Sequence, residues 1–304
     1  MTPTQKTKLI TFLAIISLSI MGSAYYTASA NLSTKETTSK TTSTTEMSTT
    51  QTTKTSTAKK TTQQKKLAEV QRLLDENYQS ENFGIYVMSL DDQSSASINA
   101  DVIFDAASTG KIPVLYYTQK LINENQLDPA TTYPYIDEIN QMPMSYMRGG
   151  AGMLQSHSFG EEFSIDQIMQ LTAQYSDNQG ANFLGYYAAD QYSDTMKAEI
   201  STIIGREWTE RNVITAKENA LLMSAIYHEG GQLIDYLSDT VYDDQRIPKY
   251  LPVPVAHKIG DLYEYRHDVA IVYTDEPYIL SVMTNNSSYE AISQLSKDVY
   301  DIMK

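Results

Sequence analysis

The 304-residue chain contains no cysteine and only four histidines. Without cysteine, the protein has no disulfide framework, no thiolate metal site and no lipid-modified cysteine. The histidines are scattered and show no metal-ligand spacing: His157, His228, His257 and His267. We therefore expect neither a metal nor another cofactor.

Basic side chains are also scarce beyond residue 66. Residues 1–66 contain nine Lys and two Glu, a net charge of +7, whereas the remaining residues contain 14 basic and 35 acidic side chains, a net charge of −21. Phosphate binding needs clustered Lys and Arg. The acidic balance therefore argues against nucleic acid as a partner and favours solubility outside the cell.

Residues 1–30 have the pattern of an export signal. Two lysines near the N-terminus precede an uncharged apolar run from Leu9 to Ala24, and Ala28-Ser29-Ala30 supplies small residues for cleavage. An uncleaved membrane anchor through residues 9–30 is the alternative, because the uncharged stretch is long enough to span a bilayer. Either interpretation predicts an exported protein that is secreted or attached to the outer face of the membrane or cell wall.

Residues 31–64 are predicted to form a disordered linker. From Asn31 to Thr62, Ser and Thr make up 20 of 32 residues, and such a stretch cannot bury enough surface to offset the entropy lost on ordering. A stalk that lifts a domain off a membrane or through a cell wall is one interpretation, and a disordered tail without function is the other. Residues 65–304 are expected to form one monomeric folded domain.

This domain should begin and end in strands, with a helical middle. An amphipathic helix is predicted over 65–77, followed by a hairpin from Phe83 to Ala100. Further helix patterns cover 112–125, 165–175 and 291–303, and strand patterns cover 255–260, 269–273 and 278–284. The expected fold class is α+β, an α/β sandwich. Its antiparallel sheet has about five strands from both ends of the domain, flanked by helices, and an all-helical subdomain is inserted.

Ser108 and Lys111 lie three residues apart where a helix should begin, so they share a face. A serine hydroxyl becomes a nucleophile when a neighbouring desolvated lysine takes its proton. Unpaired backbone N–H groups at a helix start can also stabilise negative charge on a carbonyl oxygen. An ordinary helix start is the alternative. A phosphate loop at Gly110-Lys111 is excluded, since Ile112 stands where that loop needs Ser or Thr.

Two more polar clusters follow along the chain, Ser176-Asp177-Asn178 and Lys258-Ile259-Gly260. With Ser108 and Lys111, they resemble the class A β-lactamase family of penicillin-recognising serine enzymes, whose signature is Ser-x-x-Lys, Ser-Asp-Asn and Lys-Thr-Gly. The resemblance covers roughly residues 65–304 and implies a β-lactamase/transpeptidase-like fold. It extends to four longer segments, which are Ser108-Thr-Gly-Lys-Ile-Pro-Val114, Tyr175-Ser-Asp-Asn-Gln-Gly-Ala-Asn182, Arg246-Ile-Pro and His267-Asp-Val-Ala-Ile-Val272.

The resemblance also implies roles for the catalytic side chains. Ser108 would be the nucleophile, and Lys111 its base or proton relay. Ser176 would carry a proton to the leaving nitrogen, and Lys258 would supply positive charge that favours a neutral Lys111. For Ser176 and Asn178, a helix-capping loop is the alternative role.

The substrate contacts follow from the same resemblance. Asn178 would hold the amide of the substrate's side chain and help to fix Lys111. The backbone N–H groups of Ser108 and of Asp261, just past Gly260 on an edge strand, would form the oxyanion hole.

The third motif departs from the family because Ile259 lacks the hydroxyl that meets the substrate carboxylate. A hydrogen bond to a charged group contributes ~1.5–3 kcal/mol. We therefore expect carboxylate-bearing substrates to lose roughly tenfold to over a hundredfold in binding or acylation.

The second departure is a shortened loop. The family carries a deacylating glutamate before a helix that opens like Asn212-Val-Ile-Thr-Ala216, but only residues 206–211 precede that helix here, more than a dozen residues too few. No residue matches the glutamate, and Glu207 and Glu210 are interpreted as solvated loop charges. Attack of water on an acyl-enzyme should therefore be slow.

The leading interpretation is an exported serine hydrolase that opens β-lactam amides through an acyl-enzyme on Ser108, with slow deacylation. A D-Ala-D-Ala carboxypeptidase-like or penicillin-binding wall protein, acting on the stem peptide of peptidoglycan, is one alternative. A wall-associated binding domain without catalysis is another.

Overall fold

A computed structural model describes residues 49–304, with side chains from residue 62 onward. The predicted signal or anchor and most of the predicted linker lie outside the described residues, so those interpretations stay predictions. None of the helices that we can describe is long and apolar enough to cross a membrane.

Helices and strands alternate irregularly along the described chain. The helices are α1 (Thr49–Asn77), α2 (Ile112–Asn123), α3 (Ile165–Gln174), α4 (Asn178–Tyr187), α5 (Asp194–Ile204), α6 (Ala216–Glu229), α7 (Gln232–Leu237) and α8 (Tyr289–Met303). The strands are β1 (Phe83–Ser89), β2 (Ser95–Ile98), β3 (Phe104–Asp105), β4 (Thr132–Pro134), β5 (Glu162–Ser164), β6 (Val213–Ile214), β7 (Val255–Leu262), β8 (Tyr265–Val272) and β9 (Tyr278–Thr284).

The main sheet has five antiparallel strands in the order β2-β1-β9-β8-β7. Two strands come from the N-terminal part of the domain and three from its C-terminal part, so the predicted α+β fold is confirmed. Two small sheets pair β3 with β6 and β4 with β5. Because β7 is an edge strand, one side of its backbone is free to face a cleft.

The main sheet separates two hydrophobic cores. Side chains alternate between the faces of a strand, so Ile85 and Val87 of β1 pack with α1 and α8, whereas Met88 joins the core of the helical region. Full burial of each such side chain contributes about 1.5–3 kcal/mol. Packing on both faces holds the main sheet between its helices. This packing fixes the position of the edge strand β7, which belongs to the sheet.

The first helix is longer than predicted. It ends at Asn77 as expected and buries Leu67, Val70 and Leu74, but it begins at Thr49, where the sequence predicted linker. Nucleation is the costly step of helix formation, and propagation adds one hydrogen bond per residue. A turn held by the buried leucines can therefore extend into Thr-rich sequence that would not start a helix alone.

Ser108 and Lys111 lie in a 3-10 helix, Ala107–Lys111, that leads directly into α2. In a 3-10 helix the side chains at i and i+3 are nearly eclipsed, which brings these two together more closely than an α-helical turn does. Pro113 falls in the first turn of α2, where a missing N–H costs nothing.

Candidate active site

The side chain of Lys111 is fully buried, and four oxygen atoms surround its amine. Lys111 Nζ lies 2.8 Å from Ser108 Oγ, 2.7 Å from Ser176 O, 3.3 Å from Ser176 Oγ and 2.7 Å from Asn178 Oδ1. The carbonyl oxygen of Ser176 and the amide oxygen of Asn178 can only accept, so they take both N–H groups of a neutral amine. The lone pair of that amine is left for the hydroxyl of Ser108, as a general base requires.

Electrostatics favour the neutral form of Lys111. Burial is the largest cause that lowers the pKa of Lys111 well below its usual 10.5, and the cation of Lys258 lowers it further. The carboxylate of Asp177 opposes these effects, and the guanidinium of Arg211 adds to them. The predicted nucleophile therefore has an amine beside it that is able to accept its proton.

Ser176 connects the two buried lysines. Its Oγ lies 2.8 Å from Lys258 Nζ and 3.3 Å from Lys111 Nζ. Lys258 Nζ also donates to the carbonyl oxygen of Ile259 at 3.1 Å. Burial lowers the pKa of Lys258 to about 7, with Asp268 opposing that shift. A hydroxyl between two amines can give up a proton on one side and regain it from the other.

The residue that caps helix α4 is Asp177. Its Oδ1 accepts from the N–H of Gly180 at 2.9 Å, and its Oδ2 accepts from the N–H groups of Met153 and Leu154 at 2.5 and 2.8 Å. The alternative role of a capping loop therefore applies to Asp177, while the side chains of its two neighbours, at 176 and 178, are free to reach Lys111.

The side chain of Asn178 has a fixed orientation. Its Nδ2 donates to the carbonyl oxygen of Gly149 at 2.9 Å, which turns Oδ1 towards Lys111. One of the two N–H groups on Nδ2 is thus already used. Only the other remains for a ligand in the cleft.

Two residues beside the reactive groups have left-handed backbone conformations. Ala107 has φ of 46° and Ser176 has φ of 54°. Each such conformation costs of order 1–3 kcal/mol for a residue other than glycine and tends to occur at functional sites. Interactions elsewhere in the fold must therefore offset this conformational cost at Ala107 and Ser176.

The edge strand β7 packs directly against the 3-10 helix that contains Ser108. A Cβ at Gly260 would lie 3.1 Å from Ala106 O and 3.2 Å from Thr109 N, so only glycine permits this approach without a shift. The next residue, Asp261, forms an ion pair with the fully buried Arg246. Ile259 is buried as well and brings no hydroxyl to the site.

Next to Lys258 in the chain lies an ion cluster that is partly buried. His257 Nδ1 lies 3.0 Å from both carboxylate oxygens of Asp268, and His257 Nε2 lies 3.1 Å from Asp243 Oδ1. Burial alone would lower the pKa of His257, but the two carboxylates outweigh it and raise the pKa to about 9. This cluster ties β7 to β8 and to the loop after α7, and so holds Lys258 in place.

A cleft of about 510 Å³ opens above these groups, in the size range of ligand pockets. Of the predicted site residues, Ser108, Asn178 and Asp261 line it. The remaining ones are buried: Lys111, Ser176, Lys258 and Gly260. The structure therefore brings all seven together at one place, with Ser108 at the cleft wall and the lysines beneath it.

The short loop between α5 and β6 closes one side of this cleft. Glu207 and Glu210 are exposed and do not line it, whereas Arg211 and Asn212 do. The only acidic side chains among the lining residues in the described chain are those of Asp105 and Asp261. On this side of the cleft, the described residues therefore place the guanidinium of Arg211 and no glutamate.

His267 is a residue whose contribution the sequence did not reveal. The N–H of Thr284 donates to His267 Nδ1 at 3.0 Å, so that nitrogen must be an acceptor, and His267 Nε2 donates to Asp105 O at 2.7 Å. Burial lowers the pKa of His267 to about 4, which keeps the ring neutral. His267 pairs with Gly260 across β7 and β8, so it joins that strand to the segment that leads into Ser108.

The sequence matches the model of the β-lactamase enzyme family over residues 64–303. That match spans most of the chain and agrees with the fold and with the order of the three motifs. The protein therefore belongs to the β-lactamase enzyme family. No curated protein matches the chain.

Solved structures share the fold at low sequence identity. PBP-A is 21% identical with a TM-score of 0.62, and the alignment covers 78% of this chain and 95% of PBP-A. An acyl-enzyme complex of a PBP-A mutant with penicillin G is likewise 21% identical, with a TM-score of 0.62 and coverage of 78% and 96%. A β-lactamase from Sphaerobacter thermophilus is 18% identical, with a TM-score of 0.61 and coverage of 78% and 95%. These similarities show a common β-lactamase/transpeptidase-like fold.

Proposed function

We propose that this protein is an exported serine hydrolase of the class A β-lactamase type that opens β-lactam amides through an acyl-enzyme on Ser108 and releases the acyl group slowly. The observation that carries the proposal is the environment of Lys111. Its buried amine has acceptors for both N–H groups and directs its lone pair to Ser108 Oγ at 2.8 Å. Export rests on residues 1–30 alone.

In the proposed acylation, the side chains of Lys111, Ser108 and Ser176 act one after another. Neutral Lys111 takes the hydroxyl proton of Ser108, and Ser108 Oγ forms a bond to the carbonyl carbon of the substrate. The carbon–nitrogen bond then breaks, and the hydroxyl of Ser176 gives its proton to the leaving nitrogen. Protonated Lys111, 3.3 Å from Ser176 Oγ, returns a proton to that oxygen. The acyl-enzyme is thus left with both lysines in their starting protonation states.

Charge on the carbonyl oxygen needs donors during attack. Ser108 and Asp261 both line the cleft, which supports the assignment of their backbone N–H groups to the oxyanion hole. Protonated Lys258, adjacent to this hole in the chain, adds positive charge on the same side. Removal of one oxyanion donor typically costs about 10²–10³ in rate.

Release of the acyl group needs an activated water, and the cleft offers little to activate it. The carboxylate of Asp105 accepts from the N–H of Ala107 at 2.8 Å, and that of Asp261 pairs with Arg246. No glutamate from the described residues lines the cleft. A persistent acyl-enzyme is therefore the expected product with penicillins. The complex of the PBP-A mutant with penicillin G supports a β-lactam as the ligand class.

A second candidate keeps the acylation chemistry and changes the substrate to a stem peptide that ends in D-Ala-D-Ala. Among the described residues, both carboxylates that line the cleft already have partners for their oxygens. This supports the candidate, because a wall enzyme with slow turnover needs no rapid activation of water. Release of D-alanine from a muropeptide supports this candidate. Efficient cephalosporin turnover without D-alanine release rejects it.

A chromogenic cephalosporin distinguishes a single acylation of each protein molecule from repeated turnover. We expect a burst of about one equivalent followed by slow turnover in the wild type, and neither phase in Ser108→Ala. The matched control is Ser80→Ala, which removes an exposed hydroxyl away from the cleft and should keep the burst. Equal signals from wild type and Ser108→Ala reject the proposal. Ligand binding that is unchanged in Ser108→Ala instead supports a binding domain without catalysis.

A further inference from the structure

The short loop delivers an arginine to the neighbourhood of Lys111. Helix α5 ends at Gly205 in the left-handed conformation, with φ of 78°. Arg206 Nε then pairs with Glu218 Oε1 at 2.6 Å, and the side chain of Trp208 is buried in the core. These two anchors fix the course of the loop, and Arg211 reaches the wall of the cleft.

Tyr146 lies close to both cations. The guanidinium carbon of Arg211 is 3.7 Å from the centroid of the Tyr146 ring, and Lys111 Nζ is 4.7 Å from the same centroid. The guanidinium carbon of Arg211 and Lys111 Nζ are therefore separated by no more than the sum of these two distances. The backbone of Tyr146 is fixed, because Tyr146 N donates to Asn182 Oδ1 at 2.6 Å and Asn182 Nδ2 donates to Tyr146 O at 2.8 Å, and its side chain is buried.

Gly110, between the two reactive residues of the first motif, makes room for this arrangement. A Cβ at Gly110 would lie 2.5 Å from the carbonyl oxygen of Arg211 and 3.1 Å from the hydroxyl oxygen of Tyr146. The first contact is with backbone, which cannot rotate away. The glycine therefore permits the loop to pack directly on the helix that carries Ser108 and Lys111.

The guanidinium of Arg211 is held in place by uncharged acceptors, and the carboxylate of Asp105, which lines the same cleft, is the anion that acts with it on the Tyr146 hydroxyl. Its Nε donates to Met144 O at 2.5 Å, and its Nη2 donates to Ser145 O at 3.0 Å. Neither acceptor is charged, and the side chains from residue 62 onward include no carboxylate in ion-pair contact with it. Arginine stays protonated at any physiological pH, so its field at Lys111 is constant.

The charged groups that face Lys111 come from three elements. Lys258 on β7 and Arg211 on the loop are cations, and Asp177 before α4 is the anion. The oxygens of Asp177 are occupied by three backbone N–H groups. The two cations therefore outnumber the single anion around the amine.

We propose that Arg211 is a positioning residue for Lys111: its charge, held on the ring of Tyr146, adds to burial and to the cation of Lys258 in favouring the neutral form of Lys111, whose lone pair accepts the proton of Ser108. This inference rests on the proposed function. The same cation occupies the loop from which a base for water would have to act, and a guanidinium cannot accept a proton. Arg211 therefore assists attack and contributes nothing to release.

The pH dependence of acylation tests this role. Without the cation at 211, protonation of Lys111 becomes easier, so a higher pH is needed to obtain the neutral base. In Arg211→Gln, we expect the acid limb of the rate of acylation by labelled penicillin to move up by about one pH unit. Arg211→Lys, which restores the charge, should move it back. Profiles of wild type and Arg211→Gln that superimpose would overturn the inference.

Arg148 provides the matched control. It also lines the cleft, but its guanidinium lies 4.6 Å from the ring of Phe159 and 3.8 Å from Asp137. Arg148→Gln removes the same charge from the cleft and should leave the acid limb where it is in the wild type. An equal shift in both glutamine variants would mean that the net charge of the cleft, and not the contact through Tyr146, sets the profile. That result would also overturn the inference.

A direct titration separates this inference from the proposed function. The ¹³Cε signal of Lys111, assigned by its loss in Lys111→Met, reports the protonation of the amine in the unligated protein. Its midpoint should rise by about one pH unit in Arg211→Gln and return in Arg211→Lys. If the wild type takes up no penicillin, the proposed function fails, and the titration still decides on Arg211. An unchanged midpoint would overturn the role of Arg211 and would leave the proposed function standing.

Discussion

Two sides of the cleft differ in the chemical groups that they place near Ser108. On one side, Lys111, Ser176 and Lys258 form a closed network with separations of 2.7 to 3.3 Å. On the other side, the short loop brings the guanidinium of Arg211 and leaves its glutamates exposed. In the proposed mechanism, attack uses the buried network, which the loop assists through Arg211. Release would need a base for water, and the described part of the loop brings no carboxylate to the cleft.

The largest effect is expected from Lys111→Met, which removes the base and keeps an unbranched side chain. Acylation by labelled penicillin should fall by about 10²–10⁴. Stopped-flow or quenched-flow measurement of the adduct gives this rate, and thermal unfolding checks that the variant folds. Acylation at the wild-type rate would mean that attack does not depend on the buried network around Lys111.

Ile259→Thr restores the hydroxyl of the third motif and should increase activity. With a penicillin that bears its free carboxylate, we expect acylation to rise by roughly tenfold to a hundredfold, because a hydrogen bond to a charged group is regained. The methyl ester of the same penicillin is the control substrate and should show little change. An equal gain with acid and ester would mean that the hydroxyl acts on something other than the carboxylate.

The pH profile should also report Lys258. Its pKa is lowered to about 7, so its cation is present below that pH and is lost as the pH rises through it. Acylation in the wild type should therefore decline above about pH 7, by up to about tenfold per unit. Lys258→Arg keeps the charge and should remove this basic limb. A basic limb that persists in that variant would assign it to another group.

The smallest effect is expected on the rate of deacylation. Glu207→Gln and Glu210→Gln should change the rate of deacylation less than about twofold, because exposed charges away from the reacting atoms contribute little. Intact-mass measurement of the decaying adduct gives this rate. A tenfold loss in either variant would mean that the loop supplies a base after all.

Much of this site could be predicted from local sequence. The periodicity of strands such as β1 and β9 gave the sheet, and the three motifs gave all seven site residues, because each motif fixes its neighbours within a few positions. Catalytic roles for those residues remain predictions that the variants above test.

Contacts between distant segments could not be predicted in this way. Tyr146 and Arg211 meet Lys111 only after the loops have packed, and no local pattern marks them. The tautomer of His267 likewise depends on Thr284 and Asp105, which lie on other strands. The early start of α1 reflects propagation from a packed helix into Thr-rich sequence, which propensity alone disfavours.

The proposed mechanism combines attack by Ser108 with slow release of the acyl group. Intact-mass spectrometry after a penicillin pulse and removal of free drug measures both steps. We expect a single adduct, mapped to Ser108 and absent in Ser108→Ala, that persists for hours. A protein that stays unmodified because no attack occurs, or an adduct that disappears as fast as the sample can be prepared, would contradict the proposed mechanism.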